Sequence, residues 1–350
     1  MREITFSQAV NEALETAMRL DDSVIQYGLG VTDPLGVFGT TLGLEEKFGK
    51  ERVFDMPTAE NAMTGIAIGA SLGGLKPVMT HQRLDFFLLA MDQLVNNAAK
   101  WNFMFGGNSS VSITIRLIIG RGWGQGPTHA QSLQAWFAHI PGLKVVMPTT
   151  PQDAKGLLLE SIFDPNPVLF LEHRWLHNMV ANVDESDDFR VPIGKCELLK
   201  EGFDITIVSM SYMSIEAIHA AKELEKYNIS CEVIDIKTVA PLDWNSIFVS
   251  VEKTLRVVVL DTASEFGSIG SDIVAKLSMK YFNTLKYAPK IIALPDMHSP
   301  TSYGLTKEYY KDARDIVLEI GKIFNKDIDT SSFMNKTHHD IPGSWFRGPF

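Results

Sequence analysis

The amino-acid sequence predicts an α/β protein with two doubly wound domains, and three features support this. Helical and strand periodicities alternate along the chain, which is typical of parallel sheets covered by helices. The polar stretch "NVDESDDF" interrupts the alternation, and a second alternation starts at "DITIVSM". The chain has 350 residues, which is enough for two separate cores. We therefore predict one domain over residues 1–190, a second over residues 191–327 and a C-terminal tail over residues 328–350.

In the first domain, the predicted elements follow in a regular order. The segment "TFSQAVNEALETAMRL" has apolar residues at helical spacing, with Thr5 or Ser7 as its cap. Another helix starts at Thr150, because Pro151 and Asp153 supply the proline and the acid that favour a first turn. The other elements are a strand at "SVIQYGLGV", a helix from about residue 61, a strand at "KPVMT", a helix over about residues 85–101, and strands at "SVSITIRLIIG" and "NPVLFLEH".

The second domain shows a similar but shorter alternation. It begins with the strand "DITIVSM", followed by the amphipathic helix "SIEAIHAAKELEKYN", for which Ser214 is the predicted cap. The strands "SCEVIDI" and "LRVVVLD" flank a further helical stretch. The tail contains proline, glycine and aromatic residues without a clear period, and we interpret it as an interaction arm.

Composition and charge restrict the classes of function. Hydrophobic residues make up 45% of the chain and charged residues 21%, as in ordinary globular proteins. The net charge of −10 argues against nucleic-acid binding, which needs a basic surface. No apolar run approaches the roughly 18 residues that span a bilayer, and no signal-peptide core is present, so we expect a cytoplasmic protein without membrane contact. Cys196 and Cys231 are too few for a disulfide framework or a zinc site and are expected as reduced thiols.

Several motifs could carry chemistry, and each also has a structural explanation. Glu60 precedes a helix rich in glycine and alanine, where a carboxylate interacts favourably with the helix dipole. The small residues of that helix recur every three or four positions, which favours a close helix or subunit contact. The loop "GRGWGQG" lacks the G-x-G-x-x-G spacing of a dinucleotide site. His129 follows this loop near the carboxyl end of a strand, and both an active-site role and a structural role are open. Asn96 and Asn97 are consistent with a polar helix face.

The order of these motifs along the chain is more specific than any one of them. The stretches "FDMPTAENAMTGIAIGASLGGLKPVM", "MDQLVNNAAKWNFMFGG" and "HAQSLQAWFAHIPGLKVVMPTTPQDAKGLLLESIFDPNPVLFLEH" resemble the β subunit of the thiamine diphosphate-dependent 2-oxo acid dehydrogenases. The resemblance spans about residues 4–325. It implies a transketolase-type pyrimidine-binding domain, a transketolase-type C-terminal domain, and oxidative decarboxylation of a 2-oxo acid with acyl transfer to a lipoyl group.

The resemblance also implies roles for individual residues. Glu60 falls where the family hydrogen-bonds the aminopyrimidine ring, which favours the imino tautomer that removes the thiazolium proton. We expect Glu60 to be buried, because it must share a proton with a weakly basic ring. Phe86 falls where an aromatic ring of the family lies against the aminopyrimidine. Gln82 falls where some members have methionine, and we predict that it also binds the cofactor. His129 falls where the family has an active-site histidine that contacts the substrate carboxylate and assists acyl transfer.

A predicted metal site and a predicted partner subunit complete this interpretation. Asp164 and Asn166, in "FDPNP", resemble a loop that binds a structural potassium ion in some members, mainly through main-chain oxygens. The Gly-Asp-Gly motif that holds magnesium diphosphate in the family does not occur in this sequence. The resemblance therefore implies that a separate α subunit holds magnesium and the diphosphate, in an α2β2 heterotetramer that docks on a lipoyl acyltransferase in some members.

Some positions depart from the family, and two other functions stay open. Leu29 and Gly30 stand where many members of the family have a pair of acids, which argues against a proton relay between sites. The polar "THQRLDFF" suggests that the substrate need not be pyruvate. The alternative enzyme is the C-terminal subunit of a split transketolase, for which Arg83, Arg121 and Arg174 are candidate phosphate ligands. The alternative of another class is a scaffolding subunit whose site has decayed.

Overall fold

The chain folds into two compact units that are interleaved in sequence. The computed structural model describes residues 1–120 and 124–333. Unit 1 comprises residues 1–119 and 136–193, whereas residues 120 and 124–135 group with residues 194–333 in unit 2. The segment that contains His129 therefore belongs to unit 2, although the strand before it belongs to unit 1.

Unit 1 contains a parallel sheet with helices and a short antiparallel pair. Its strands are β1 (Arg2–Thr5), β2 (Val24–Gly28), β3 (Val53–Asp55), β4 (Lys76–His81), β5 (Thr114–Ile119), β6 (Lys144–Val146), β7 (Val168–His173) and β8 (Val180–Val183). Its α-helices are α1 (Phe6–Leu20), α2 (Gly36–Gly39), α3 (Leu44–Phe48), α4 (Glu60–Leu72), α5 (Leu84–Phe87), α6 (Ala99–Met104), α7 (Gln134–Ala138), which starts in unit 2, and α8 (Pro151–Ile162). Short 3₁₀ turns cover Leu88–Ala90 and Arg174–Leu176, and a π-helical turn covers Gln93–Ala98.

The sheet of unit 1 places the ends of several strands at one edge. Its strands lie in the order β6-β7-β5-β4-β2-β3, and every pair is parallel. β5 and β7 are buried along their whole length, as expected for central strands covered on both faces. Because all carboxyl ends meet at one edge, the loops after β2, β3 and β4 lie side by side there. β1 and β8 form a separate antiparallel pair.

Unit 2 is built around a second sheet. Its strands are β9 (Glu197–Lys200), β10 (Ile205–Ser209), β11 (Cys231–Asp235), β12 (Thr238–Ala240), β13 (Val257–Ser264) and β14 (Lys290–Leu294). Its helices are α9 (Tyr212–Glu225), α10 (Trp244–Thr254), α11 (Ile269–Lys280), α12 (Tyr303–Tyr309) and α13 (Ala313–Ile323), with 3₁₀ turns at Gly126–Thr128 and Ser331–Phe333. The sheet order is β14-β13-β10-β11-β9, in which only β9 is antiparallel to its neighbour. This is the doubly wound arrangement that the alternation predicts.

Local signals placed some helix starts correctly and others not. Thr5 and Thr150 each form a capping box, as expected from their hydroxyls. The prediction that Ser214 caps α9 is wrong, because the helix begins at Tyr212 and Ser211 occupies the cap position with φ of 52°. The predicted helix at about residues 85–101 is present but irregular, since 3₁₀ and π turns interrupt its α geometry. The helices of the described residues include none that is both long and apolar enough to cross a membrane.

Candidate active site

Glu60 lies at the carboxyl edge of the unit 1 sheet, at the first position of α4. The loop after β3 delivers it there, and the preceding Ala59 offers no side-chain cap. Glu60 is only 7% exposed. Among residues 1–120 and 124–333, no donor forms a hydrogen bond or ion pair with its carboxylate, whereas its main-chain oxygen accepts a hydrogen bond from the Thr64 hydroxyl at 2.8 Å. Its carboxylate oxygens keep some contact with solvent, so this group can accept a partner from outside the chain.

The small residues of α4 form a contact inside unit 1 over part of their length. A Cβ at Gly65 would lie 3.5 Å from the side chain of Gln93 on the π-helical turn, so this position already packs against protein. A Cβ at Gly69 would meet no described atom within 4 Å, and Ile66 is 56% exposed. The stripe therefore covers an internal helix contact at one end and leaves an apolar, close-approach surface at the other.

Gln82 and Gly30 contact each other directly, which the sequence does not reveal. Gly30 follows β2 and Gln82 follows β4, which are paired neighbours. Gly30 has φ of 73°, and a Cβ there would lie 2.3 Å from Nε2 of Gln82 and 2.7 Å from Oδ2 of Asp33. Any side chain at residue 30 would displace the Gln82 amide. The space left by the missing side chain of Gly30 is therefore used by Gln82.

Phe86 lies in α5, close in sequence to Gln82 and on the same side of the sheet edge. Its ring is half-buried, whereas the next residue, Phe87, is fully buried and packs on His81 with ring centroids 5.0 Å apart. Glu60, Gln82 and Phe86 thus all lie in loops or helix starts that follow β3 or β4. The structure brings these three predicted residues to one edge of unit 1.

Sequence reasoning missed a buried ionic network next to this edge. Arg116 donates to Glu172 from Nε at 2.6 Å and from a terminal nitrogen at 3.0 Å, and both side chains are inaccessible to solvent. Burial opposes ionisation of Glu172, but the charge of Arg116 and the nearby His177 outweigh it and lower its pKa to about 2. Burial lowers the pKa of His177 despite the opposing effect of Glu172, 3.2 Å away. The sequence signal that could have predicted this network is the charged residue within each of the apolar strands "TIRLII" and "VLFLEH".

Two of the three arginines proposed for the alternative enzyme lie near each other. Arg83 and Arg174 follow β4 and β7 and are 4% and 8% exposed. Burial and the positive charge of Arg83 lower the pKa of Arg174 to about 10, and its guanidinium lies over the Phe38 ring, 4.0 Å from the centroid. Arg121 lies outside the described residues.

His129 belongs to unit 2 and is therefore not in the same unit as Glu60. It follows the 3₁₀ turn Gly126–Thr128 and is half-buried, with its Nδ1 2.9 Å from the Thr128 hydroxyl. Five residues later, Gln134 donates from Nε2 to Asp261 Oδ1 at 2.7 Å and to Thr262 Oγ1 at 2.9 Å. The segment is thus held by β13 of unit 2.

The atoms expected around potassium are engaged by protein groups. Lys144 forms an ion pair with Oδ2 of Asp164, and the main-chain N–H of Asn166 donates to Oδ1 at 2.9 Å. The main-chain oxygen of Asp164 accepts from Ser112 at 2.7 Å. The part of the chain that is described contains no group of three or more His, Cys, Asp or Glu residues that could hold a metal ion. A potassium site formed mainly by main-chain oxygens of this loop stays a prediction.

The comparisons with known proteins agree with this architecture. Family models for "Transketolase, pyrimidine binding domain" and "Transketolase, C-terminal domain" match residues 2–179 and 194–316. The acetoin:2,6-dichlorophenolindophenol oxidoreductase subunit beta of Cupriavidus necator is 37% identical over 317 residues, which covers 88% of this chain and 93% of that protein. The pyruvate dehydrogenase E1 component subunit beta of Bacillus subtilis is 38% identical over 302 residues, which covers 86% of this chain and 93% of the relative.

A solved structure supports the fold independently. A split-gene transketolase, described as an inactive β4 tetramer, matches with a TM-score of 0.73 at 24% identity, covering 92% of this chain and 98% of its own. The fold class and the family resemblance predicted from the sequence are therefore confirmed. The chain belongs to the transketolase-like family of β subunits of thiamine diphosphate-dependent 2-oxo acid dehydrogenases.

Proposed function

We propose that this chain, together with an α subunit, catalyses oxidative decarboxylation of a 2-oxo acid and transfers the acyl group to a lipoyl group. The observation that carries the proposal is the largely buried side chain of Glu60, whose carboxylate has no donor among the described residues and lies at the carboxyl edge of the unit 1 sheet. When bound, thiamine diphosphate supplies the carbon nucleophile and the electron sink for loss of carbon dioxide.

The residues of unit 1 would bind and orient the pyrimidine half of this cofactor. Glu60 would share a proton with a ring nitrogen, because a shielded carboxylate without protein donors can hold that proton between the two groups. Phe86 would lie against the ring. Gln82 would present its amide beside the ring at a position fixed by the close contact over Gly30.

His129 would act on the substrate rather than on the cofactor. We assign to its imidazole the hydrogen bond to the substrate carboxylate and later assistance of acyl transfer. We expect His129→Ala to slow acyl transfer to lipoamide more than decarboxylation. Equal losses in the two assays would contradict this division of roles.

The remaining parts of the assembly are also proposals. An α subunit would supply magnesium and the diphosphate site in an α2β2 heterotetramer, since the sequence has no Gly-Asp-Gly motif. The exposed end of the α4 stripe, around Ile66 and Gly69, is the surface we assign to a subunit contact. A lipoyl acyltransferase partner and a cytoplasmic location belong to the same proposal.

The test is a reconstitution of the chain with its α partner. Decarboxylation of a panel of 2-oxo acids is measured with 2,6-dichlorophenolindophenol as electron acceptor. Turnover of at least one 2-oxo acid that depends on thiamine diphosphate is the expected result. No turnover with any of them would favour the scaffolding alternative.

A split transketolase is the second candidate, because Arg83 and Arg174 are close together and buried. Two guanidinium groups at the carboxyl edge of a parallel sheet suit an anionic substituent such as a sugar phosphate. Two-carbon transfer between sugar phosphates, without decarboxylation of any 2-oxo acid, would favour this function. The same reconstituted complex serves for both assays.

A further inference from the structure

The segment that contains His129 is fixed to unit 2 on both sides of the histidine. On the amino-terminal side, Gly126 has φ of 67°, and a Cβ there would lie 2.3 Å from Cγ2 of Thr301, so the main chain packs directly on residue 301. On the carboxyl-terminal side, Gln134 donates to Asp261 at 2.7 Å and to Thr262 at 2.9 Å. His129 therefore lies on a short span between two fixed points.

Asp261 has the properties of an anchor. It is 1% exposed and lies on β13, and its carboxylate accepts hydrogen bonds from three groups. Besides Gln134, these are the main-chain N–H groups of Ala263 at 2.9 Å and of Gly270, in the first turn of α11, at 3.0 Å. Hydrogen bonds to a carboxylate are stronger than neutral ones. One side chain thus ties the His129 segment to a strand and to a helix of unit 2.

Packing alone does not explain a glutamine at position 134. It is 0% exposed, and its carbonyl oxygen has no hydrogen-bond partner among the residues that the structure describes. A buried carbonyl oxygen without a donor destabilises the fold, and methionine of similar length would avoid that cost. The amide is therefore better explained by its two donated hydrogen bonds than by packing.

We propose that Asp261 and Gln134 are positioning residues that hold His129 in place for acyl transfer. Neither residue is assigned a contact with substrate or cofactor. The inference rests on the proposed function, because that function gives His129 its role. It adds two residues outside the expected site, both of which act through the main chain of residues 126–134.

The first test measures the bracing itself, independently of activity. Amide hydrogen exchange of the complex with its α partner is compared for the wild type, Gln134→Met, Thr262→Val and the control Asp272→Asn, an exposed residue in the first turn of α11. Gln134→Met should raise exchange over residues 124–133 by about tenfold or more, and Thr262→Val by less, because it removes only one acceptor. Asp272→Asn should change nothing there. Unchanged exchange in Gln134→Met would overturn the inference.

The second test asks whether the brace acts through His129. In Gln134→Met, acyl transfer to lipoamide should fall about tenfold relative to decarboxylation with the artificial acceptor, the pattern expected for His129→Ala. A purely structural role would lower both rates together with the melting temperature, and that result would contradict the inference. A wild-type complex that decarboxylates no 2-oxo acid would contradict the proposed function instead, and hydrogen exchange would still decide whether the brace exists.

Discussion

Two buried carboxylates near helix starts, one in each unit, have opposite surroundings. Asp261 accepts three hydrogen bonds from its own chain, including one from the first turn of α11. Glu60 occupies the first position of α4 and accepts none among the described residues. Both are almost inaccessible, at 1% and 7% exposure. Proximity to a helix start and burial are therefore shared, and the supply of donors differs.

This difference separates a structural carboxylate from a functional one. A chain that buries a charged group normally supplies hydrogen bonds to that group. Asp261 follows that rule. Glu60 departs from it at the sheet edge where ligands of such folds bind, which is where an external group can supply the missing hydrogen bond.

The largest expected effect is on activity, from Glu60→Gln. Glutamine keeps the size but cannot share a proton with the pyrimidine ring, so decarboxylation should fall by about 10²–10⁴-fold. Stability should stay within about 0.5 kcal/mol, because no protein donor is lost. The control is Glu46→Gln, which also removes an acid from the first turn of a helix but is exposed. If both variants kept near-normal rates, Glu60 would have only the helix-dipole role.

Asp261→Asn should destabilise the fold, in contrast to Glu60→Gln. An asparagine amide must direct N–H groups toward at least one of the three donors, so unfolding should become easier by roughly 2–3 kcal/mol. Chemical denaturation of this variant and of the exposed control Asp272→Asn measures the difference. A loss for Asp261→Asn no larger than that of Glu60→Gln would remove the contrast between the two carboxylates.

A third prediction concerns His81, another buried polar group of unit 1. Neither ring nitrogen has a hydrogen-bond partner in the described part of the chain, and burial lowers the pKa of His81 to about 3. The unfolded chain takes up a proton below about pH 6.5 whereas the folded chain does not, so stability falls as pH falls. At about pH 5 the loss from this group is about 2 kcal/mol.

Denaturation of His81→Phe between about pH 7 and pH 5 measures this effect. Phenylalanine suits the apolar contact with Phe87, and the variant should lose less stability on acidification than the wild type. The matched control is His139→Phe, because His139 is exposed. If both variants followed the wild-type pH profile, His81 would not contribute to acid sensitivity.

The smallest effect is expected from exchange of potassium for sodium at constant ionic strength. Lys144 already neutralises Asp164, so the free energy of unfolding should change by less than about 0.5 kcal/mol. Lys144→Met, which leaves that carboxylate without its cation, should destabilise the protein more. A clear stabilisation by potassium alone would indicate a cation held by main-chain oxygens of this loop.

Several features could be read from local sequence because their causes are local. The capping box at Thr150 depends on residues three positions apart, and the structure has it. The long helix near residues 85–101 was predicted without its π turn at Gln93–Ala98, because turn geometry there depends on packing against α4. Ser214 was a wrong cap because Ser211, in an unusual conformation, already starts α9.

In the candidate site, too, some features follow from the local sequence and others only from the tertiary structure. Glu60, Gln82 and Phe86 could be named from motif order, and the loops after β3 and β4 place them at one edge. The ion pair of Arg116 with Glu172 joins residues 56 positions apart, and the bond of Gln134 to Asp261 spans 127 positions. No local pattern encodes pairs at such separations.

The sequence alone determined the alternation of helices and strands, the family and the residues that share the family's motifs, because these depend on periodicity and on residue order. Only the tertiary structure decided that Glu60 lacks a donor among the described residues, that Gly30 and Gln82 form one contact, and that residues 124–135 belong to unit 2. The physical reason is that hydrogen bonding and burial are set by neighbours in space, and chain folding brings those neighbours from distant positions.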